Sequence, residues 1–291
     1  MSRRILVLGG SGLLGRPVVN KLLQKGQKVR ILTRHAEKSR LFLPESVEAF
    51  QGSVLNREDI KKSLAGCAGV HISLPQESEL VAAEHIADLG KGGSLERITY
   101  ISATGVGPEN RWFSVIDVKM RTEEAIRKSG IPYIFFRPTW AMESLRNFVR
   151  GDRATVISSS NPPAIHFFAA EDLGRMVSDS YKEKTCLGKS LYVHGPEAIT
   201  LPEALGLFIN SCHPDISVSN LKLWQARVLA LAIKRLRYVT GLIAFYERVG
   251  EIGDPAEANS LYGPPLITLD NWIKNGKEHN WPELVTGSAQ G

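Results

Sequence analysis

The sequence predicts an α/β fold: a doubly wound parallel sheet with a smaller, mostly helical C-terminal substrate region. Three observations carry that prediction. Short β-branched runs alternate with helix-length stretches as far as Arg137, a cluster of glycines joins the first strand to the first helix, and 43% of the 291 residues are hydrophobic, enough to bury a substantial core.

Residues 5–9 (ILVLG) form a continuous apolar run, as expected of a strand buried on both faces. The basic residues before it imitate a secretion signal, but the run ends in glycines without a small-residue cleavage pattern, so it reads as the first core strand. A helix is expected over residues 13–24, strands over 28–33 (KVRILT) and 47–52 (VEAFQG), and a helix over 57–64. Strand 69–74 (GVHISL) leads to a helix over 77–89, strand 97–102 (RITYIS) to a helix over 113–128, and 132–137 (PYIFFR) makes the sixth strand. Beyond Arg137 the rhythm loosens. Residues 140–150 read as helical, 166–181 as a strand entering a helix, 190–195 (SLYVHG) as a further strand, and the rest as mostly helical with Gly and Pro interruptions.

The formal charge of +6 is dispersed, its longest cluster being KRLR at 234–237, so no nucleic-acid partner is expected. Cys67, Cys186 and Cys212 are far apart, with neither a CxxC pair nor zinc-like spacing, which points to a reducing compartment and no metal site. No stretch approaches the roughly 18 apolar residues of a membrane span, and a soluble, cytoplasmic protein is expected.

Gly9, Gly12 and Gly15 spell GxxGxxG directly after a strand and at the start of a helix. There, a residue without Cβ permits the tight turn, a second lets a diphosphate approach the backbone, and a third lets helix pack closely on strand. The amides of the turn, with Ser11, Leu13 and Leu14 between the glycines, would face the anion. The bland alternative, glycines serving backbone geometry alone, is disfavoured because the strand-helix alternation continues for five more strands. The next strand ends at Thr33 and Arg34, where an acid would accept a ribose 2′-hydroxyl and an arginine would instead pair with a 2′-phosphate. Arg34, with Lys38 adding a point charge, favours NADPH over NADH.

With these residues in hand, the chain resembles the NmrA-like group of atypical short-chain dehydrogenases/reductases. The resemblance rests on GGSGLLG, the basic strand end TR, GSVLNREDIKKSLAGCAGV, YISATG, VKMRTEEAIRKSGIPYIFFRPTWAMESL, FFAAEDLGRMV and GKSLYVHGPEAITLPEAL. It implies a Rossmann NAD(P)-binding core over residues 1–150 and a C-terminal substrate or partner region over 151–291, interleaved with the core. It also implies that Ser53 and Val54, Ser73, Leu74 and Pro75, Ser102 and Ala103, and Pro138 and Thr139 touch the nucleotide. Relatives usually carry an aspartate where this chain has Ser53; a serine can still hydrogen-bond the adenine edge or a backbone group.

The short-chain dehydrogenase YxxxK pair sets a tyrosine and a lysine four apart on one helix face, the lysine lowering the phenol pKa so that it protonates a carbonyl as hydride arrives. Here Lys119 is present and the position four before it is Val115, which donates no proton. By the resemblance, Lys119 acts as a lone general base or acid, as in related aromatic ether reductases, or binds the nicotinamide ribose; the bland reading is a solvent-facing helix lysine. Tyr100 reads as core rather than as a replacement acid. Ser102 matches a substrate-orienting serine, His166 is a lone strand histidine, and Asp117 and Glu143 lack a spaced carboxylate partner. Trp140, Met142, Phe148, Phe167 and Phe168 are expected to line an apolar pocket at the sheet's carboxyl edge. Residues 223–250 are apolar with interleaved basic residues; they read as a lid or packing helix, the alternative being contact with a membrane surface or an acidic partner.

Two function classes are therefore expected: an NADPH-dependent reductase of a small quinone, conjugated or aromatic substrate, or a non-catalytic NADP(H) sensor, regulator or assembly factor. The partner would be a small apolar substrate or a protein.

Overall fold

The structure, a computed structural model, describes residues 3–92, 95–182 and 187–278; Cys186 and the side chains of Lys234 and Arg235 lie outside them. Six strands come from the first half of the chain: β1 (Arg4–Leu8), β2 (Lys28–Thr33), β3 (Glu48–Gln51), β4 (Gly69–Ile72), β5 (Arg97–Ile101) and β6 (Tyr133–Pro138). With β11 (Lys189–Val193) they form one sheet in the order β11-β6-β5-β4-β1-β2-β3. Every pairing is parallel, with Val7 of β1 between Ile31 of β2 and His71 of β4. Chain order therefore reverses between β1 and β4, the crevice where ligands bind in open parallel sheets.

Helices cover both faces, which is why the strands read as near-continuous apolar runs. On one face α1 (Gly15–Gln24) and α6 (Ala170–Ser180) bury Val18, Val19, Leu22, Leu173 and Met176. On the other, α3 (Arg57–Leu64), α4 (Gln76–Leu89) and α5 (Ser114–Lys128) bury Ile60, Ala82, Ile86 and Ile126. Leu13 and Leu14, expected inside the first helix, remain in the turn before it. Asn56 caps α3, its side chain accepting from the Glu58 and Asp59 amides. The sheet core takes β11 and α6 from beyond residue 150, so the two halves interleave in space.

One expectation fails beyond β6. Residues 140–150 are not an α-helix: a short strand β7 (Trp140–Ala141) leads into a 3₁₀ segment (Met142–Phe148) and then strand β8 (Val149–Arg150). Met142, Leu145 and Phe148 recur every third residue, the period at which 3₁₀ side chains eclipse, and they turn toward the core together. The remainder is mostly helical, as expected, with short strands between the helices. β9 (Arg153–Ser158) pairs in parallel with β13 (Ser217–Lys222), and β10 (Ala164–Phe168) joins β7 and β12 (Ala198–Thr200). β13 is largely exposed, so it shows none of the apolar alternation that reveals a strand in sequence. Helices α7 (Leu201–Cys212), α8 (Leu223–Ala232), α9 (Lys234–Val249), α10 (Ala256–Tyr262) and α11 (Leu269–Glu278) complete the chain. No helix among the described residues is long and apolar enough to cross a membrane.

One buried polar chain ties the C-terminus of α6 to the sheet. His71 Nδ1 lies 2.8 Å from Thr99 Oγ1, which meets the Tyr181 hydroxyl at 2.9 Å, and that hydroxyl donates to the Val70 carbonyl. Burial depresses the His71 imidazole to about 3, so the folded state holds it neutral at pH values where the unfolded chain protonates it. The sign follows: this contribution is fully present above about pH 6.5 and is lost as pH falls from there toward 3, by up to a few kcal/mol. Urea unfolding of the unmodified protein and of His71→Gln at pH 7.5 and pH 5 should show the unmodified protein losing more stability than the variant over that interval.

Candidate cofactor site at the carboxyl edge

Each expected nucleotide contact falls at the carboxyl end of a strand. Gly9 to Gly15 follow β1, Thr33 and Arg34 end β2 with Lys38 in the short helix α2 (Ala36–Arg40), and Ser53 and Val54 follow β3. Ser73 to Pro75 follow β4, Ser102 and Ala103 follow β5, and Pro138 and Thr139 close β6. Residues more than a hundred positions apart in sequence thus line one edge because all the strands run the same way.

The glycine turn is packed as tightly as its sequence implies. Gly9 has φ +82°, and a Cβ there would stand 1.9 Å from the Ser73 carbonyl oxygen; a Cβ on Gly15 would stand 2.0 Å from the Gly9 oxygen. Gly12 is different. It is exposed, and a Cβ there would meet only the Gly9 oxygen, at 3.1 Å, so it is the glycine whose backbone is open to a ligand. Arg16, which sequence reasoning passed over, braces this turn: its Nε donates to the Ser11 carbonyl and its guanidinium lies over the Phe42 ring. Its only sequence signal was adjacency to the last glycine.

Arg34 and Lys38 are both exposed at the end of β2. Across the gap, Ser53 does not face its surroundings alone. The Asp59 carboxylate of α3 accepts from the Ser53 amide at 2.9 Å, so an acid occupies this corner from one helical turn further along the chain.

Lys119 is not a solvent-facing lysine. Its ammonium donates to Glu79 Oε2 at 3.0 Å and to the Ile101 carbonyl at 3.1 Å, with the Tyr100 hydroxyl at 3.5 Å. The Tyr100 hydroxyl in turn donates to the same Glu79 oxygen at 2.8 Å. Glu79 and Tyr100 are wholly buried, and burial followed by the Glu79 carboxylate pushes the Tyr100 phenol well above its ordinary range. A sealed, weakened acid suits packing, not proton donation. The ammonium is itself mostly buried, and its charged neighbour is a carboxylate, not a second cation. Val115, four residues before Lys119, is buried. Glu79 was invisible in sequence because a glutamate in the first turn of a helix ordinarily reads as a solvated N-terminal charge.

Ser102 is also committed elsewhere: its hydroxyl donates to Glu123 Oε1 at 2.6 Å, inside a network in which Arg137 and Arg127 pair with the same buried carboxylate. The substrate-orienting role expected of Ser102 is not what its contacts show. Asp117 pairs with Arg111. Glu143 accepts from the Ala170 amide and the Trp272 indole, and burial lifts its carboxyl to about 7.

His166 proves not to be alone. Its Nδ1 lies 2.6 Å from Glu251 Oε2, and its ring stacks on that of His194. These three side chains bring ligand-type atoms within 4.8 Å of one another from three separate elements, a grouping no sequence spacing announced. Glu251 Oε1 also accepts from the His166 amide, so both carboxylate oxygens already serve to fasten residues 250–253 to β10. The neighbouring Thr104 hydroxyl donates to the Ile252 carbonyl, extending the same fastening across the end of β5.

The apolar pocket is the largest correction. Trp140, Met142, Phe167 and Phe168 are buried core and Phe148 packs against that core. Helix α9 lays Phe245 against Phe113 at 5.0 Å and Tyr246 against Trp140 at 5.1 Å. The slot left among Trp140, Ile165, Leu201 and Tyr246 measures about 10 Å³, room for a single water.

Sheet order, glycine turn and basic strand end together define a Rossmann-type dinucleotide-binding protein. The NmrA-like family model matches residues 1–213, and the chain belongs to the NmrA-like family. It is 25% identical over 201 residues to (4-alkanoyl-5-oxo-2,5-dihydrofuran-3-yl)methyl phosphate reductase of Streptomyces griseus subsp. griseus, covering 68% of this chain and 70% of that one. It is 22% identical to the photosystem II assembly factor Ycf39 of Trieres chinensis, over 86% of this chain and 79% of that one. Among solved structures, triphenylmethane reductase of Citrobacter sp., crystallised with NADP(H), superposes with a TM-score of 0.74 at 16% identity, over 94% of this chain and 99% of that one.

Proposed function

We propose that the protein binds NADPH along the carboxyl edge of the sheet and reduces a small quinone or other conjugated or aromatic acceptor. The observation that carries the choice of acceptor is the Glu79–Lys119–Tyr100 cluster: the lysine and the phenol that would otherwise serve as proton donors are joined to one buried carboxylate. Acceptors that need no acid from the protein fit this site, and simple ketones do not.

The residues present suit the cofactor. The open space beside Gly12 leaves room for a diphosphate at the N-terminus of α1. Arg34 offers a bidentate partner to a 2′-phosphate, with Lys38 beside it. NADPH, when bound, supplies the hydride. The reductase names and NADP(H) complex among the relatives support this reading.

A second reading has its own support. The aromatic side chains of α9 fill the edge beyond Ala103 and Gly105, leaving little room for a substrate, and one relative is named as an assembly factor. On that reading NADP(H) binding sets the conformation of a regulator or assembly factor and nothing is turned over.

Purified protein with NADPH and a panel of quinones, enones and ketones separates the two. Oxidation of NADPH with quinones or enones and none with ketones is expected; tight NADPH binding without turnover on any acceptor assigns the second reading. The cofactor choice is tested separately. NADPH should bind more tightly than NADH, and Arg34→Ala should shrink that preference about tenfold or more, the loss of a charge-assisted pair. Equal affinities in the unmodified protein would refute the assignment.

A further inference from the structure

Residues 223–250, expected to act together as one lid or packing element, divide at Ile233. Helix α9 buries Ile243, Phe245 and Tyr246 in the C-terminal core. Helix α8 joins that core with one face only. It buries only Leu223, Ala226 and Ala230, the i, i+3, i+7 face, against α9, β9 and β13. Its other face is just as apolar and lies open: Trp224, Val228 and Leu231, at i, i+4 and i+7, are 63%, 60% and 77% exposed, with Leu229 and Ile233 beside them. A helix that is apolar all round is ordinarily buried all round, so this second face lacks its cover.

Charge says what covers it. Between Asp215 and Glu247 the chain holds no acidic residue and five basic ones, Lys222, Arg227, Lys234, Arg235 and Arg237. Lys222 and Arg227 are exposed next to the Trp224 ridge. Arg237 donates to the Ala230 and Leu231 carbonyls, fixing the end of α8 and so holding the ridge outward. We propose that this ridge docks on an anionic lipid bilayer surface, with α8 lying in the plane of the interface. At ten residues the helix is about 15 Å long, half of what a hydrocarbon core demands, so it lies on the membrane rather than in it. Trp, Val and Leu along one face with Lys and Arg beside them are what an interfacial helix uses: apolar side chains enter the headgroup boundary and cations meet the lipid charge. A second copy of the chain is a poorer occupant, because a two-fold pairing of this patch would oppose its own positive charges.

The test is co-flotation of the full chain with vesicles of phosphatidylcholine alone and of phosphatidylcholine mixed with phosphatidylglycerol. Binding to the mixed vesicles, weakened by salt, is expected. Val228→Glu with Leu231→Glu should reduce that binding about tenfold or more while leaving the NADPH-induced rise in melting temperature intact. Lys222→Glu with Arg227→Glu should weaken binding to the anionic vesicles in the same way. Absence of binding to anionic vesicles overturns the proposal, as does binding that the Val228 and Leu231 variant leaves unchanged. Sedimentation showing a dimer that this variant converts to monomer would assign the ridge to a second copy instead, and also overturns it.

Discussion

Gly15→Ala is expected to lower the melting temperature by roughly 6–12 °C, corresponding to about 3 kcal/mol, and to remove measurable NADPH binding. The added methyl would stand 2.0 Å from the Gly9 carbonyl oxygen, 2.7 Å from its carbon and 2.9 Å from the Gly10 Cα, all of them backbone atoms. No side-chain rotation relieves such a contact, so α1 must move away from β1. That displacement deforms the turn proposed to hold the diphosphate and loosens Val18, Val19 and Leu22 from the sheet. Gly12→Ala is the informative control. Its methyl would meet a single atom at 3.1 Å and otherwise open space, so the fold should keep most of its stability while cofactor affinity falls. Thermal melts of both variants, with and without NADPH, distinguish a glycine needed for packing from one needed for ligand approach. Equal stability loss in both would contradict this division of labour.

The second large effect is expected at Glu79. Glu79→Ala removes the carboxylate that Lys119 and Tyr100 share, leaving a mostly buried ammonium and a buried hydroxyl without their partner, at a cost of about 3–5 kcal/mol. Lys119→Met is expected to destabilise as well, because it strands the Glu79 charge in the core with only the Tyr100 hydroxyl beside it. The double variant Glu79→Ala with Lys119→Met removes both charges together and should be less destabilised than the sum of the singles. Urea unfolding of the four proteins gives the coupling. If Lys119→Met is as stable as the unmodified protein yet fails to oxidise NADPH with quinones, the cluster is catalytic and the structural role assigned to Lys119 is wrong.

The parallel sheet and the placement of cofactor-side residues were legible because they depend on local pattern. Apolar runs of strand length, amphipathic helices between them and glycines at one junction leave few arrangements, and in a parallel sheet every strand's following loop arrives at the same edge. Gly9, Thr33, Ser53, Ser73, Ser102 and Thr139 share that edge for this reason alone. The C-terminal half was less legible. β9 and β13 pair across some sixty residues, and the exposed β13 has too little alternation to be seen without its partner.

What the sequence determined by itself, then, is the parallel sheet, the glycine turn and the basic end of β2, each written in residues that act through their own backbone or their immediate neighbours. Only the tertiary structure decided what the candidate site residues are attached to. Lys119 meets Glu79 from another helix, His166 meets Glu251 from a strap 85 residues on, Ser102 gives its hydroxyl to Glu123, and the expected pocket is filled by α9. Such meetings join residues far apart in the chain whose side chains carry no periodic signature. Burial, which sets whether a polar group is a partner or a catalyst, exists only once the helices have closed on the sheet.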